Sequence, residues 1–358
     1  MSAGRTVALA VAFSFLVPGF IPCSSSGSAE DDFVALVESV SAADMMTTVE
    51  DLQAFGSREF HLESSREAAE YVYGKLAETG LAVEYQEFEL DGINISNVVA
   101  IKEGGDPDTG CFLFGAHYDS ENVLVDSLSE AENITAPGAD DDASGVAAVI
   151  ELARLLSDVA LRNTVKFVAF AAEEYGYDNS GGLKGSQHFV ASEVEGNVSY
   201  EGTAILDMIG YRSGLENRAV IVTEQSGDRM AEATVEAVGK YAIDLDIVNI
   251  IEPRISYSDH SSFWEAGYPS MLVIEELSEE SNIPLNPYYH TSSDVATSLS
   301  EGQMVAVTQA LLGGVLQLAV EEEGSGISSY VAIALASSAC VAAVAAFMII
   351  RRVRTERR

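Results

Sequence analysis

The chain has 358 residues, of which 47% are hydrophobic, so it is long enough to bury one large α/β domain. Its 56 acidic and 19 basic residues give a formal net charge of −37 at pH 7. Such an acidic surface repels nucleic acid and anionic lipid, so no nucleic-acid partner is expected.

The N-terminal segment has the order of an export signal. Arg5 precedes a mostly apolar run over residues 6–17, and small residues at 24–29 precede the acidic start at Glu30. We therefore predict that residues 1–29 form an export signal cleaved near Ala29. An uncleaved helical anchor is the alternative, although the apolar run is shorter than the roughly 20 residues that a membrane span needs.

The C-terminal segment predicts a membrane anchor. Residues 329–350 carry no charge and are followed directly by the arginine-rich tail 351–358. We predict a linker at 323–328, a transmembrane helix at 329–350 and a basic cytoplasmic tail at 351–358. The protein is then a single-pass cell-membrane protein whose main domain, residues 30–322, lies outside the cell. A buried core helix is the alternative.

Removing both terminal segments makes the remaining domain more acidic and leaves it one cysteine. The 13 basic and 55 acidic residues that remain give a net charge near −42. Cys23 and Cys340 belong to the terminal segments, so Cys111 stands alone and no intrachain disulfide is expected in the domain.

Between the termini, helical and strand patterns alternate. Helical periodicity is found at 32–55, 64–79, 143–157, 183–192, 228–241, 260–265 and 301–320, and strand-like runs at 83–90, 97–102, 111–116, 165–171, 203–209, 219–222 and 270–275. This alternation predicts an α/β fold with a mixed, mostly parallel sheet sandwiched by helices. Polar motifs follow several predicted strands, and the carboxyl ends of strands are where such folds bind ligands.

His117 and Asp119 directly follow the predicted strand 111–116. Because residues two apart point to the same side of an extended segment, one side chain can bind a metal while the other orients it. A buried His–Asp pair without a metal is the alternative.

Two acidic strings follow. The run Asp140–Asp142 precedes a predicted helix; capping explains one aspartate, but the mutual repulsion of three favours a bound cation. Glu173 and Glu174 end the predicted strand 165–171, where they could serve as general base and metal ligand.

Asp207 ends another apolar strand, and His260 and His290 lie in acidic strings. A divalent cation that activates water needs imidazoles and carboxylates as ligands and a free carboxylate to take the proton. His61 and His188 are predicted to be ordinary helix or surface residues. The residues together predict a metal-hydrolase site.

The strings HYD, PGADDDASG, AAEE, LDM, SDH and YYHTSSD, in this order between residues 97 and 294, resemble the family-28 zinc metallopeptidases. That group comprises secreted co-catalytic dizinc aminopeptidases together with glutamate carboxypeptidases and glutaminyl cyclases. The resemblance implies a mixed sheet flanked by helices, with two zinc ions above the strand carboxyl ends. Cobalt or manganese could bind comparable ligands.

Residue by residue, the resemblance implies that Asp141 bridges the two zinc ions. His117 and Asp207 would complete one metal site, and Glu174 and His290 the other. The family's pattern also implies a cis peptide bond after the bridging aspartate, between Asp141 and Asp142.

The remaining implied roles are catalytic or supporting. Glu173 would be the general acid/base, and Tyr289 would donate to the oxyanion. Asp119 would orient His117, and Asp294 would support the loop carrying His290. The segment 175–182 is longer than the family's usual turn, which could change substrate access.

These expectations predict a membrane-tethered extracellular aminopeptidase that acts on peptide or protein N-termini. A carboxypeptidase is one alternative; it would need a cation for the substrate carboxylate, and Arg254 is the candidate. A glutaminyl cyclase and a non-catalytic receptor-like relative are the others. The presence of every ligand position and of both Glu173 and Glu174 argues against these two.

Overall fold

The computed structural model describes residues 29–121, 135–175, 182–278 and 284–320. The predicted linker, transmembrane helix and cytoplasmic tail lie outside the described residues, as do residues 1–28 of the predicted export signal. Of the long segment that follows the paired glutamates, residues 176–181 also lie outside them.

One eight-stranded sheet organises the domain, in the order β1-β2-β4-β3-β5-β8-β6-β7. The central strands β4, β3, β5 and β8 are mutually parallel, and the outer strands add three antiparallel pairs and one parallel pair. The predicted mixed, mostly parallel sheet is therefore confirmed. The strands are β1 Ala82–Leu90, β2 Ile93–Lys102, β3 Cys111–His117, β4 Val165–Phe170, β5 Tyr200–Leu206, β6 Arg218–Thr223, β7 Asp246–Ile251 and β8 Ser270–Ile274.

Helices cover both faces of this sheet, as predicted. The larger hydrophobic core lies under α1–α4, α6 and α8, whereas α5 and α7 pack over a smaller aromatic cluster on the opposite face. In chain order the helices are α1 Ala29–Glu38, α2 Ala42–Ala54, α3 Glu63–Glu78, α4 Ala143–Leu156, α5 Lys184–Glu195, α6 Arg229–Lys240, α7 His260–Glu265 and α8 Glu301–Ala319, with a 3₁₀ turn at Ala296–Ser298.

Helix α4 fixes the aspartate string against the sheet. Asp142 caps its N-terminus by accepting the Gly145 N–H at 3.0 Å. A side chain at Gly145 would meet the Leu206 carbonyl oxygen at 2.7 Å, so glycine is what lets the helix approach the end of β5 this closely. The first turn of α4 therefore lies directly beside the strand that leads to Asp207.

The structure corrects several predicted boundaries. The predicted helix 32–55 is two helices. The first helix ends at Glu38, and Ser41 caps the start of α2 by accepting the Asp44 N–H. Strand β2 begins at Ile93 rather than at residue 97. Strand β7 was missed because it is an edge strand whose residues are partly or fully exposed.

Among the described residues, α8 is the one helix long and apolar enough to cross a membrane. Yet 72% of its apolar window is buried inside the domain, where it packs against α1, α2, α4 and α6. Helix α8 is therefore a core helix, and the predicted membrane span 329–350 is a separate segment outside the described residues.

Candidate metal centre and active site

Two buried histidines face one another across a single carboxylate. His117 ends β3, and His290 lies in the loop between β8 and α8 with a φ of 55°. The Oδ1 atom of Asp141 lies 3.2 Å from His117 Nε2, and its Oδ2 atom lies 3.0 Å from His290 Nε2. One carboxylate thus offers an oxygen to each imidazole, which is the arrangement needed to bridge two metal ions.

Each histidine meets a second acid. Asp207, directly after β5, places Oδ1 3.8 Å from His117 Nε2. Glu174 places Oε2 3.0 Å from His290 Nε2. The structure therefore brings all five predicted metal ligands together, as two groups that share Asp141. We call His117, Asp141 and Asp207 the first subsite, and Asp141, Glu174 and His290 the second subsite.

The electrostatics of these groups favour a cation. Burial alone would lower the pKa of His290, but Glu174 and Asp141 raise it to about 12. Burial likewise opposes protonation of His117, yet its carboxylate partners raise its pKa well above the ordinary value. Positive charge is therefore strongly stabilised where the imidazole nitrogens point. Two imidazoles and three carboxylates are ligands that zinc accepts, and the buried Glu174 Oε1 has no hydrogen-bond partner within the described ranges.

Glu173 lies against both subsites without completing either. The residue is 8% exposed, and one of its carboxylate oxygens lies within 4.8 Å of ligand atoms of His117 and Glu174. Burial raises the pKa of Glu173 well above its ordinary value; His117 opposes this shift and the Glu174 carboxylate adds to it. A carboxylate whose pKa is raised in this way accepts a proton more readily than an ordinary glutamate does.

Asp119 chiefly holds the glutamate pair in place. Its two carboxylate oxygens accept the backbone N–H groups of Glu173 and Glu174, both at 3.1 Å. Its contact with His117 Nδ1 is longer, at 3.6 Å. The expected orientation of His117 by Asp119 is therefore the weaker of the two interactions, because a 3.6 Å separation exceeds a normal hydrogen bond.

Asp119→Asn is expected to lower kcat about 10–100-fold, as loss of groups that orient metal ligands commonly does. The amide has one acceptor oxygen, so one of the two glutamate N–H groups loses its partner and the pair shifts. The measurement is kcat from steady-state peptidase kinetics of Asp119→Asn. The control is Asp108→Asn, the same substitution at an exposed turn. Equal kcat values for the two variants would contradict this role.

Asp142 ties the aspartate string to two strand ends. Its Oδ2 accepts the His117 N–H at 3.1 Å, and its Oδ1 accepts the Met208 N–H at 3.2 Å as well as the capping bond from Gly145. Backbone donors thus occupy this carboxylate. The peptide bond between Asp141 and Asp142 is cis, as the family resemblance implied.

Asp140 is also held by neutral donors. Its Oδ1 accepts the Gly210 N–H at 2.8 Å, and its Oδ2 accepts the Asn286 amide at 2.7 Å. Asp294 in turn accepts the N–H groups of Asp140 at 2.9 Å and Asp141 at 3.1 Å, so it joins the His290 loop to the aspartate string. Repulsion within the string is therefore relieved mainly by N–H donors, and Asp141 alone faces both imidazoles.

A cavity of about 360 Å³ opens above these groups. The ring of Tyr289 stacks on His290 with centroids 3.8 Å apart, which places the predicted oxyanion donor at the cavity wall. Apart from the ligands and Glu173, the described lining residues are mostly apolar or aromatic. They include Tyr175, Leu183, Met208, Tyr257 and Ile274.

The other three histidines lie away from the ligand cluster. His260 Nε2 pairs with the Ile255 carbonyl oxygen at 2.8 Å and its ring packs edge-on against Trp264, so this predicted candidate is a structural residue. His188 stacks on Phe88, and His61 lies beside Glu59, in keeping with their predicted ordinary roles.

Sequence reasoning missed two residues at the site. Arg58 is fully buried and donates to the carbonyl oxygens of Tyr118, Pro137 and Gly138, which flank the two ligand strings. Glu121 approaches Glu174 and His290. The sequence did contain a signal for each. Arg58 is a rare basic residue in a very acidic chain, and Glu121 is an additional acidic residue directly after the HYDS string.

The fold and the buried histidine–carboxylate cluster define a metallopeptidase. The chain belongs to peptidase family M28, whose family model matches residues 97–315. Leucine aminopeptidase 1 of Ajellomyces capsulatus is 30% identical over 302 residues, covering 79% of this chain and 73% of that protein.

Solved structures share the fold. BSAP, a zinc aminopeptidase from Bacillus subtilis, superposes with a TM-score of 0.65 at 18% identity, covering 81% of this chain and 98% of that chain. A glutaminyl cyclase from Bacteroides thetaiotaomicron superposes with a TM-score of 0.61 at 21% identity, covering 76% and 97%. At these identities the likeness shows the fold alone, so the choice of reaction has to come from the site.

Proposed function

We propose that this protein is a membrane-anchored extracellular aminopeptidase that uses two Zn²⁺ ions to hydrolyse the first peptide bond of peptides or proteins. The observation that carries the proposal is the Asp141 carboxylate, which offers one oxygen to each buried imidazole. The relative named as a leucine aminopeptidase supports the same reaction. The uncharged run 329–350 with its arginine-rich flank supports the membrane anchor.

The residues of the site have separate roles in hydrolysis. Zinc ions held by the two subsites would supply Lewis acidity to the scissile carbonyl and the attacking water. Glu173 accepts the proton of that water as it attacks and returns it to the leaving amine. The Tyr289 hydroxyl at the cavity wall donates a hydrogen bond to the developing oxyanion.

The cavity also supports a substrate class. The wall formed by Leu183, Met208 and Ile274 suits a large apolar side chain at the substrate's N-terminus. The carboxylates around Glu173 favour a positively charged group nearby, and a free α-amino group supplies one. An N-terminal leucine or similar residue meets both requirements.

The alternatives fit these observations less well. Among the described cavity-lining residues there is no lysine or arginine to hold a substrate carboxylate, and Arg254 pairs with Glu252 at 2.6 Å in an exposed position. A carboxypeptidase is therefore disfavoured. Retention of five clustered ligands argues against a glutaminyl cyclase with one working metal, and the buried Glu173 argues against a non-catalytic relative.

The test is release of nitroaniline from a panel of aminoacyl nitroanilides by the zinc-loaded, detergent-solubilised chain. We expect the fastest turnover with leucyl and other large apolar residues, and none after chelation. N-acetyl-leucyl nitroanilide is the matched control, because blocking the amine should abolish turnover. Cyclisation of glutaminyl peptides, or cleavage at the carboxyl end, in the absence of nitroaniline release would overturn the aminopeptidase proposal.

A further inference from the structure

A third carboxylate lies beside the second subsite. Glu121 is partly buried two residues beyond Asp119, and one of its oxygens lies within 4.8 Å of ligand atoms of both Glu174 and His290. Ligands held about 2.0–2.2 Å from one zinc ion lie up to roughly 4.4 Å apart. Small side-chain adjustments would therefore let all three residues bind one ion.

The backbone that carries Glu121 is anchored. The hydroxyl of Ser120 accepts the Arg58 N–H at 3.1 Å and donates to the Ala136 carbonyl oxygen at 2.8 Å. This pair of hydrogen bonds holds the residue before Glu121 against the buried layer beneath the site. The residue that precedes Glu121 is therefore held in place by hydrogen bonds on both sides.

Among the described residues, the charges that act most strongly on Glu121 are mostly negative. They are the carboxylates of Glu174, Glu59 and Asp119 and the single imidazole of His290. Independently, the Oε1 atom of Glu174 is buried and has no hydrogen-bond partner within the described part of the chain. A buried, unpartnered carboxylate oxygen beside further acids needs a positive partner, and a divalent ion supplies it.

We propose that Glu121 is a further ligand of the metal ion in the second subsite, beside Asp141, Glu174 and His290. This inference rests on the proposed two-metal function. It makes the subsites unequal, since the second gains a third carboxylate while the first keeps two. Losing Glu121 should therefore weaken one metal site and leave the other unchanged.

The test is zinc binding by the full-length chain in competition with a chromogenic chelator, which reports metal affinity without turnover. For Glu121→Gln we expect one of the two dissociation constants to rise at least about tenfold and the other to change less than about twofold. Glu59→Gln is the matched control, because it changes a carboxyl in the same acidic cluster that lies in none of the described ligand groups. It should change neither constant by more than about twofold.

Three outcomes would overturn the role of Glu121. The first is that Glu121→Gln leaves both dissociation constants unchanged. The second is that Glu59→Gln weakens zinc binding as much as Glu121→Gln does, which would reveal a charge effect alone. The third is that Glu121→Gln weakens both metal sites, which would reveal a general disruption. Failure of the two-metal function is distinguishable, because the wild-type chain would then bind one zinc ion. If Glu121→Gln weakened that single site, the Glu121 ligand would stand and the second metal would be rejected.

Discussion

Glu173→Gln is expected to lower kcat by about 10²–10⁴-fold while the chain still binds zinc. Glutamine has nearly the same shape as glutamate, so the turn held by Asp119 keeps its two hydrogen bonds. The amide cannot accept a proton from the attacking water. Because Glu173 is 8% exposed, little bulk water reaches its position to act as a substitute base.

Two quantities are measured for Glu173→Gln, namely kcat and the number of zinc ions bound per chain. Glu265→Gln, an exposed glutamate at the end of α7, is the matched control and should leave both unchanged. A fall in kcat of less than tenfold with zinc retained would assign proton transfer to another group. Loss of zinc from Glu173→Gln would instead make Glu173 a ligand, which its distance from His117 and Glu174 also permits.

The central strands could be predicted because a strand that is buried on both faces consists of consecutive apolar residues. Strands β3, β4 and β8 are of this kind, and each was predicted to within about one residue. Strand β7 carries no such run, since it pairs with β6 alone among the described strands and much of its surface is exposed to solvent. The break between α1 and α2 was missed because helical periodicity continues through it.

Three of the five ligands could be predicted because their motifs lie at or shortly after strand ends, and the carboxyl ends of parallel strands lie at one edge of the sheet. These three are His117, Glu174 and Asp207. Asp141 and His290 do not directly follow a strand, and their roles were implied by the family resemblance. Supporting contacts made by residues outside the family's motifs could not be predicted, because they join residues far apart in sequence to backbone groups. Arg58, for example, contacts carbonyl oxygens about 60 and 80 residues away, and no sequence pattern specifies such partners.

Arg58→Met is expected to reduce the free energy of unfolding by about 3–5 kcal/mol, the usual cost of leaving buried charges uncompensated. Burial lowers the pKa of Arg58, but its attraction to Asp294, Asp119 and Asp141 opposes that effect. Methionine would fill much of the volume without supplying either the charge or the donors. The carbonyl oxygens of Tyr118, Pro137 and Gly138 would then lose the hydrogen bonds that they receive from Arg58.

Urea denaturation of the metal-free chain, followed by circular dichroism, measures this loss. Arg66→Met in α3 is the matched control, because Arg66 is exposed and its ion pairs with Glu63 and Glu70 are screened by solvent, so its midpoint should barely move. Arg58→Lys should recover part of the stability, since an ammonium keeps the charge but not the planar fork that reaches several carbonyl oxygens at once. If Arg58→Met unfolded at the wild-type urea concentration in this metal-free state, neither the charge of Arg58 nor its hydrogen bonds to the carbonyl oxygens would stabilise the fold, and the prediction would be wrong.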